Sequence, residues 1–283
     1  MTQSASRPLL DVRDLRLAFG GVKAVDGLSF QVQDGDILSV IGPNGAGKTS
    51  AFNCITGFYK PTGGKIIFDG EDVTGLKPSA LARRGISRTF QNLRLFGDLT
   101  VLDNVRAGAH LKIKQNFVDA ILHSPRYHRS EQEATDTAQY WLDFVRVASD
   151  RTTVARNLPY GEQRRVEIAR ALARGPRMLL LDEPAAGLNH SEKNDLLDLL
   201  QRIGQLGIAV VLIEHDMGLV MAVSHRVTVL NFGKQIADGT PDEVRRDPAV
   251  VEAYLGSDAD EGTHASGPQH ESANVIGEGQ EQR

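Results

Sequence analysis

The sequence predicts an α/β fold in which a mostly parallel sheet lies between layers of helices and carries an inserted helical lobe. Short apolar runs that end in Gly or Asp, such as residues 37–42 and 177–182, are typical of buried parallel strands. Helical patterns separate these runs, and such alternation predicts a three-layer α/β core. Between residues 92 and 164 the strand pattern fades and helices dominate, which predicts the lobe.

The predicted strands follow one another along the chain. Residues 9–20 alternate apolar and polar side chains, as a half-buried strand does. The runs 37–42 and 177–182 predict buried strands, and the runs 208–214 and 226–233 continue the series. Together they supply the strands of the core.

Two helices are predicted in the core, over residues 48–58 and 192–206. The second has an apolar face formed by Leu196, Leu199, Leu200 and Ile203. In the lobe, residues 133–148 predict a helix whose packed face comprises Ala134, Ala138, Trp141, Leu142, Val145 and Ala148.

The predicted folded domain covers residues 8–256, and its core consists of residues 8–91 and 165–256. Residues 92–164 form the lobe, and residues 257–283 are predicted to be a disordered acidic tail. The tail is polar and holds six acidic residues against one arginine, a net charge of −5. The other 256 residues therefore carry +1, and this nearly neutral body gives no electrostatic reason to expect nucleic acid as a partner.

Composition limits where the protein works. The single cysteine, Cys54, excludes an internal disulfide, and the N-terminus does not resemble a signal peptide, so we expect a reducing, cytosolic compartment. The longest apolar runs, such as residues 208–213, are far too short to span a bilayer. A role at a membrane would therefore require a membrane-spanning partner.

A glycine-rich loop, “GPNGAGKT”, fits the phosphate-binding pattern G-x-x-x-x-G-K-[ST] between a predicted strand and a predicted helix. Its backbone amides and the helix N-terminus attract phosphate oxygens. We expect Lys48 to reach the β- and γ-phosphates and Thr49 to bind Mg²⁺. The predicted nucleotide-binding residues here are Gly42, Pro43, Asn44, Gly45, Ala46, Gly47, Lys48, Thr49 and Ser50.

A pair of carboxylates, Asp182 and Glu183, ends the apolar run 177–182. Asp182 is suited to the Mg²⁺ shell, and Glu183 is suited to polarise an attacking water as general base. With a phosphate loop upstream, the pair predicts a hydrolase site and not a passive nucleotide pocket.

The segment “LPYGEQRRVEIARAL” at residues 158–172, together with the phosphate loop and the carboxylate pair, resembles the ATP-binding-cassette (ABC) ATPases. The resemblance extends from about Leu9 to Gly256. It implies a P-loop NTPase (RecA-like) core with an antiparallel β subdomain and an inserted α-helical lobe. ATP and Mg²⁺ are the implied cofactors.

The resemblance also assigns roles to single residues. Gln91 in “RTFQN” matches the Q-loop, which contacts metal and water, and His215 in “IEHDM” matches the switch histidine. Phe19 in “LAFGG” stands where the family stacks an aromatic ring on adenine. Taken alone, these three residues also fit ordinary polar or packing roles. The implied catalytic residues are Glu183, His215 and Gln91, the implied metal ligands Thr49, Gln91 and Asp182, and the implied signature residues Tyr160, Gly161 and Glu162.

Finer likeness, in “NLRLFGDLTVLDNV”, “LDEPAAGLN” and “AYLG”, points to the ATPase subunits of bacterial branched-chain (hydrophobic) amino-acid importers. It implies a peripheral protein on the cytoplasmic face of the inner membrane. The implied partners are a second ABC ATPase, two membrane-spanning permease subunits and, indirectly, a solute-binding protein. The apolar residues after Gln91 would meet a permease helix.

Two positions depart from the family pattern. Pro159 replaces the signature serine that donates to the γ-phosphate, and Asn189 replaces the usual D-loop aspartate. In this family two ATPases close head to tail, and the signature of each caps the nucleotide of the other. The departure at the signature therefore favours a heterodimer whose two sites hydrolyse ATP unequally.

Other functions remain open at the level of sequence. An ATPase for lipid or lipopolysaccharide export shares much of “LFGDLTVLDNV”. A soluble nucleic-acid or translation-related ABC ATPase usually has tandem cassettes, zinc ligands or coiled-coil insertions, which this sequence lacks. A simple P-loop kinase explains neither “YGEQRR” nor His215.

Overall fold

The computed structural model describes residues 7–110 and 125–261. Ten strands are found there: β1 (Leu10–Phe19), β2 (Val22–Val32), β3 (Ile37–Ile41), β4 (Gly63–Phe68), β5 (Glu71–Asp72), β6 (Ile86–Arg88), β7 (Met178–Asp182), β8 (Ala209–Ile213), β9 (Arg226–Asn231) and β10 (Lys234–Gly239). The helices of the same ranges are α1 (Lys48–Ile55), α2 (Pro78–Arg83), α3 (Val101–His110), α4 (Pro125–Phe144), α5 (Tyr160–Ala173), α6 (His190–Gln205), α7 (Met217–Val223), α8 (Pro241–Arg246) and α9 (Pro248–Glu261).

The strands form two sheets. The six-stranded sheet has the order β10-β9-β3-β8-β7-β6, and its pairs are parallel except for β9 with β10. The four-stranded sheet is antiparallel, with the order β2-β1-β4-β5. The predicted parallel core and antiparallel subdomain are thus confirmed.

Alternation along the central strands divides the core into two layers. Every residue of β3, β7 and β8 is buried, as both-face burial of a parallel sheet requires. Leu179 and Leu181 face the helical side of the sheet, where they pack with α6 and the lobe. Met178 and Leu180 face the antiparallel sheet and α1. The sheet is therefore held between two apolar layers.

Helices α3, α4 and α5 pack together and form the lobe. The predicted boundary at residues 164/165 falls inside α5, which belongs to the lobe at its start and reaches the core at its end. Four residues of the predicted lobe face are buried, namely Ala134, Ala138, Leu142 and Val145. The prediction for Ala148 was wrong: α4 ends at Phe144, Arg146 has φ 57°, and the turned chain buries Val147 instead.

The last helix, α9, corrects the predicted start of the tail. It extends to Glu261, five residues into the segment predicted to be disordered. The rest of the predicted tail lies outside the described residues. Among the described helices, none is both long and apolar enough to cross a membrane.

Cys54 provides a probe of this fold. It is buried in α1, and burial raises its pKa to about 11. We expect a thiol reagent at pH 8 to label the native chain only slowly and to modify one thiol per chain in denaturant. Because α1 begins at the phosphate loop, bound nucleotide should slow labelling further. Rapid labelling of the native chain in a stopped-flow assay would contradict this placement of α1.

Candidate functional site

The phosphate loop holds a conformation that depends on two glycines. Gly42 has φ 146°, and a Cβ there would lie 2.0 Å from the carbonyl oxygen of Leu230. Gly47 has φ 101°, and its Cβ would lie 2.2 Å from the carbonyl oxygen of Ala24. Backbone atoms cannot yield to such contacts, so any other residue would displace the loop from β2 and β9.

This loop forms one wall of an open cavity of about 430 Å³. Gly47 ends the loop at the start of α1 without a side-chain cap, so the first-turn amides remain available to an anion. The cavity is lined by Val22, Lys23, Ala24, Asn44, Gly45, Ala46, Gly47, Lys48, Thr49, Ser50, Glu183, His215, Phe232 and Gly233. Seven of these are phosphate-loop residues predicted from the sequence.

Lys48 closes the loop on itself. Its Nζ donates to the carbonyl oxygens of Gly42 at 2.6 Å and Pro43 at 2.9 Å. Burial lowers the pKa of Lys48, and the carboxylates of Glu183 and Asp182 oppose that shift. Gly42 and Pro43 therefore act below the cavity, as acceptors for the lysine, and the ammonium group is positioned to move to a phosphate.

Glu183 is the centre of the site. It follows β7 with φ 48°, an unusual angle for a residue other than glycine, and its amide donates to the carbonyl of Ile213 at 3.0 Å. Its Oε1 lies 2.6 Å from His215 Nε2, and its Oε2 accepts from Gln91 Nε2 at 2.7 Å. The three residues predicted to be catalytic are thus in direct contact.

Asp182 has a partner that the sequence did not reveal. Its Oδ2 accepts from Arg88 at 2.7 Å, and both side chains are almost fully buried. The same guanidinium donates to Asn53 Oδ1 at 2.7 Å and to Thr56 Oγ1 at 3.0 Å. Arg88 therefore fixes Asp182 against α1. Only the parallel pairing of β6 with β7 brings the two residues together.

The donor groups at this edge suit Mg²⁺. The hydroxyl of Thr49, the carboxylate of Asp182 and the amide oxygen of Gln91 are hard oxygen ligands. The described residues contain no group of three or more His, Cys, Asp or Glu side chains placed to hold a metal.

Glu214 stabilises the main chain next to the catalytic residues, and no sequence motif predicted this role. It is buried, and its carboxylate accepts from the amides of Ala185 at 2.7 Å and His215 at 3.1 Å. Burial raises the pKa of Glu214, and these amide donors oppose the rise. The residue fixes the chain beside both Glu183 and His215.

The signature residues lie outside this cavity. Pro159 occupies the N-cap of α5 without a side-chain hydrogen bond, so the helix begins with uncapped amides. Tyr160 is exposed and Gly161 is buried, and a Cβ on Gly161 would come within 2.3 Å of Glu192 Oε1. Glu162 accepts from the amide of Ser149 at 3.3 Å, which holds its carboxylate toward the lobe.

Asn189 has a clear local role. It is the N-cap of α6: its side chain accepts from the amide of Glu192 at 3.0 Å, and Glu192 accepts from the amide of Asn189 at 2.9 Å. Asparagine and aspartate serve equally well in this capping box, which explains why the departure from the usual aspartate is tolerated here.

Phe19 does not line the cavity. It ends β1 half-exposed, and its ring meets Tyr59 edge to face at 5.3 Å between centroids. The exposed apolar side chains that do line the cavity are Val22 and Phe232, which no motif marked. An adenine stack on Phe19 therefore remains a prediction.

The pairing of Arg88 with Asp182 can be tested by stability. We expect Arg88→Met to lower the free energy of unfolding by about 3–5 kcal/mol, because it leaves a buried carboxylate without its partner. Mg²⁺ with ADP should reduce the loss, since a cation at Asp182 replaces the missing charge. Urea denaturation measures both effects. Arg84→Met, which breaks an exposed pair with Glu71, should cost less than about 1 kcal/mol; equal losses would contradict the assignment.

Known protein families match the regions of the chain that contain these motifs. The profile of the family “ABC transporter” matches residues 25–186, and that of “Branched-chain amino acid ATP-binding cassette transporter” matches residues 234–260. The high-affinity branched-chain amino acid transport ATP-binding protein BraF of Pseudomonas aeruginosa is 47% identical over 252 residues, which are 89% of this chain and 99% of BraF.

Two further relatives extend the comparison. The lipopolysaccharide export system ATP-binding protein LptB of Escherichia coli is 34% identical over 249 residues, 88% of this chain and 98% of LptB. Among solved structures, the ADP conformation of MJ1267, an ATP-binding cassette of an ABC transporter, superposes with a TM-score of 0.77 at 32% identity. That match covers 89% of this chain and all of MJ1267.

Proposed function

The chain belongs to the ABC transporter family, and on that premise we propose that it is the ATP-hydrolysing subunit of a membrane importer for branched-chain, hydrophobic amino acids. The observation that carries the hydrolytic part is the contact of Glu183 with both Gln91 and His215 at the edge of the phosphate-loop cavity. These groups belong to three separate segments and meet only in the fold.

In the proposed reaction the uncapped amides at the start of α1 and the ammonium of Lys48 bind the phosphates. Bound Mg²⁺, held by Thr49, Asp182 and Gln91, would neutralise phosphate charge. Glu183 accepts a proton from the attacking water, and His215 orients the Glu183 carboxylate through their contact. Each Glu183 oxygen has one partner at present, and each keeps a lone pair that can accept from the attacking water.

The working unit is a head-to-tail pair with a second ABC ATPase, different in sequence from this chain. The uncapped start of α5 and the exposed ring of Tyr160 support this pairing, since both lie away from the chain's own cavity, where a nucleotide bound by another subunit could reach them. ATP binding closes the pair and hydrolysis reopens it. Pro159 supports unequal hydrolysis at the two sites, because the site that it caps lacks the donor hydroxyl of the usual serine.

We propose that a groove between the core and the lobe is the binding site for a permease helix. It is a cavity of about 410 Å³ whose aromatic side chains are Phe90 and the half-exposed Phe96. Phe96 comes from the apolar segment that the sequence marked for this role. Leu99 of the same segment is also exposed, and two neighbouring exposed apolar side chains favour a partner over internal packing. The protein then lies on the cytoplasmic face of the inner membrane.

The class of solute rests on the relatives. BraF is named for branched-chain amino acid transport, and the profile over residues 234–260 carries the same description. Identity to the export protein LptB is lower, 34% against 47%. This difference favours import over lipopolysaccharide export, and the near-neutral body gives no support to a nucleic-acid partner.

The proposed assembly is tested by affinity capture of the chain from detergent-solubilised membranes of its own organism. We expect two permease subunits and a second ATPase to accompany the wild-type chain and Tyr140→Asp, an exposed aromatic of the lobe outside the groove. Phe96→Asp should lose the permeases and keep nucleotide binding. Recovery with lipopolysaccharide-export components, with nucleic acid, or only from the soluble fraction would contradict the importer.

A further inference from the structure

A buried ion pair inside α5 takes no direct part in the proposed chemistry. Arg164 donates to Glu167 Oε2 at 3.0 Å, and the two side chains are 1% and 2% exposed. Burial of two charges costs more than a surface pair gains, and it is sustained only where further hydrogen bonds satisfy both groups. The partners of this pair therefore indicate what it is for.

Those partners flank Gln91. Arg164 donates to the carbonyl oxygens of Phe90 at 2.9 Å and Gln91 at 3.0 Å. Glu167 accepts, through its Oε1, from the amide of Arg94 at 3.2 Å. Three charge-assisted hydrogen bonds thus attach the main chain of residues 90–94 to α5. The Gln91 side chain is left free to donate to Glu183.

The same arginine also reaches the first turn of its own helix. A guanidinium nitrogen of Arg164 donates to the Tyr160 hydroxyl at 3.3 Å, and the guanidinium carbon lies 5.9 Å from the centre of that ring. The Tyr160 ring in turn lies against Gly187, where a Cβ would come within 3.2 Å of it. One buried side chain therefore contacts both the signature end of α5 and the backbone of Gln91.

We propose that Arg164, held by Glu167, is a positioning residue that couples the signature end of α5 to Gln91. When Tyr160 and Gly161 close on a nucleotide bound by the partner ATPase, Gln91 shifts with them relative to Glu183. Nucleotide binding at one site is then coupled, through this chain, to the geometry of the other site. The inference rests on the proposed function, because it requires a nucleotide in this cavity and a partner that uses the signature.

Coupling between two sites is reciprocal, so it is measurable in the isolated chain. A non-hydrolysable ATP analogue with Mg²⁺ that engages Gln91 should change hydrogen exchange at residues 160–163. A role confined to packing would set the exchange rates of residues 90–94 but would not transmit the effect of nucleotide to the signature end. The difference between nucleotide-bound and nucleotide-free exchange is therefore the informative quantity.

The test compares three forms of the chain. The double variant Arg164→Met with Glu167→Met removes both charges together and avoids an unpaired buried ion. The matched control is Arg165→Met on the same helix, which loses an ion pair to Asp195 and a bond to the carbonyl of Arg146, neither in the Q-loop. Circular dichroism first establishes that each form is folded.

In the wild-type chain and Arg165→Met, we expect the nucleotide analogue to slow exchange at residues 160–163 by about tenfold. In the double variant this change should fall below about twofold, while analogue affinity stays within about threefold. With the partner ATPase present, kcat should drop about tenfold and KM remain unchanged. Equal nucleotide-dependent protection in all three forms would overturn the inference. Analogue affinity of the wild-type chain is measured separately and tests the proposed function, so the two failures are distinguishable.

Discussion

Glu183→Gln is expected to lower the turnover number of ATP hydrolysis by about 10²–10⁴-fold, the range that general-base catalysis supplies. Glutamine preserves the shape of the side chain but cannot accept a proton from water. The amide can still contact Gln91 and His215, which lie 2.7 Å and 2.6 Å from the present carboxylate. ATP affinity should therefore change by less than about threefold. Steady-state hydrolysis and equilibrium binding of a fluorescent nucleotide measure the two quantities.

Two comparisons sharpen this prediction. Glu71→Gln removes an exposed carboxylate of the antiparallel sheet and should leave hydrolysis unchanged. Pro159→Ser alters the cap that this chain offers to the partner's nucleotide, and we expect a smaller effect than that of Glu183→Gln. A loss of less than tenfold for Glu183→Gln would remove Glu183 from the role of general base. Equal losses at both composite sites would contradict their asymmetry.

Lys48→Ala is expected to weaken ATP binding by about two orders of magnitude, or about 2.8 kcal/mol. The ammonium group now donates to the carbonyls of Gly42 and Pro43, and phosphate oxygens would replace these with charge-assisted bonds. ADP should lose less affinity than ATP, because it lacks the γ-phosphate that we expect Lys48 to contact as well. Isothermal titration with both nucleotides gives the two dissociation constants.

The control for Lys48→Ala is Lys65→Ala, which removes an exposed lysine from β4 and keeps the same change in net charge. Its affinity for ATP should match that of the wild type within about twofold. If both variants lost affinity equally, the effect would be general electrostatics and not a contact in the loop. Unchanged affinity in Lys48→Ala would exclude the lysine from the phosphate site.

The residues predicted from sequence are those that a local pattern marks. The phosphate loop could be predicted because backbone geometry restricts Gly42 and Gly47 to glycine. The carboxylates of Asp182 and Glu183 could be predicted because they stand at the end of a fully buried strand, β7. The antiparallel sheet was implied by resemblance alone, since only residues 9–20 of its strands had been recognised from alternation. The observed ends of helices and strands differ from the predicted ends by one to several residues, at places where a helix cap or a turn sets the end.

The residues that the sequence did not reveal act through distant partners. Arg88 meets Asp182 because β6 pairs with β7 across 94 positions of sequence. Arg164 reaches Gln91 across 73 positions. No period or spacing encodes such pairs, which depend on strand order and on helix docking. Phe19 shows that a sequence match can also mislead: the residue occupies the motif position, but its ring does not line the cavity.

The decisive measurement is ATP-driven uptake of leucine, isoleucine and valine into proteoliposomes that contain the assembly purified through this chain and its solute-binding protein. We expect uptake that requires ATP on the side of this subunit and disappears in Glu183→Gln. Uptake of lysine under the same conditions should remain at background. ATP hydrolysis without uptake of any of the three amino acids would contradict the importer and leave the ATPase site as described.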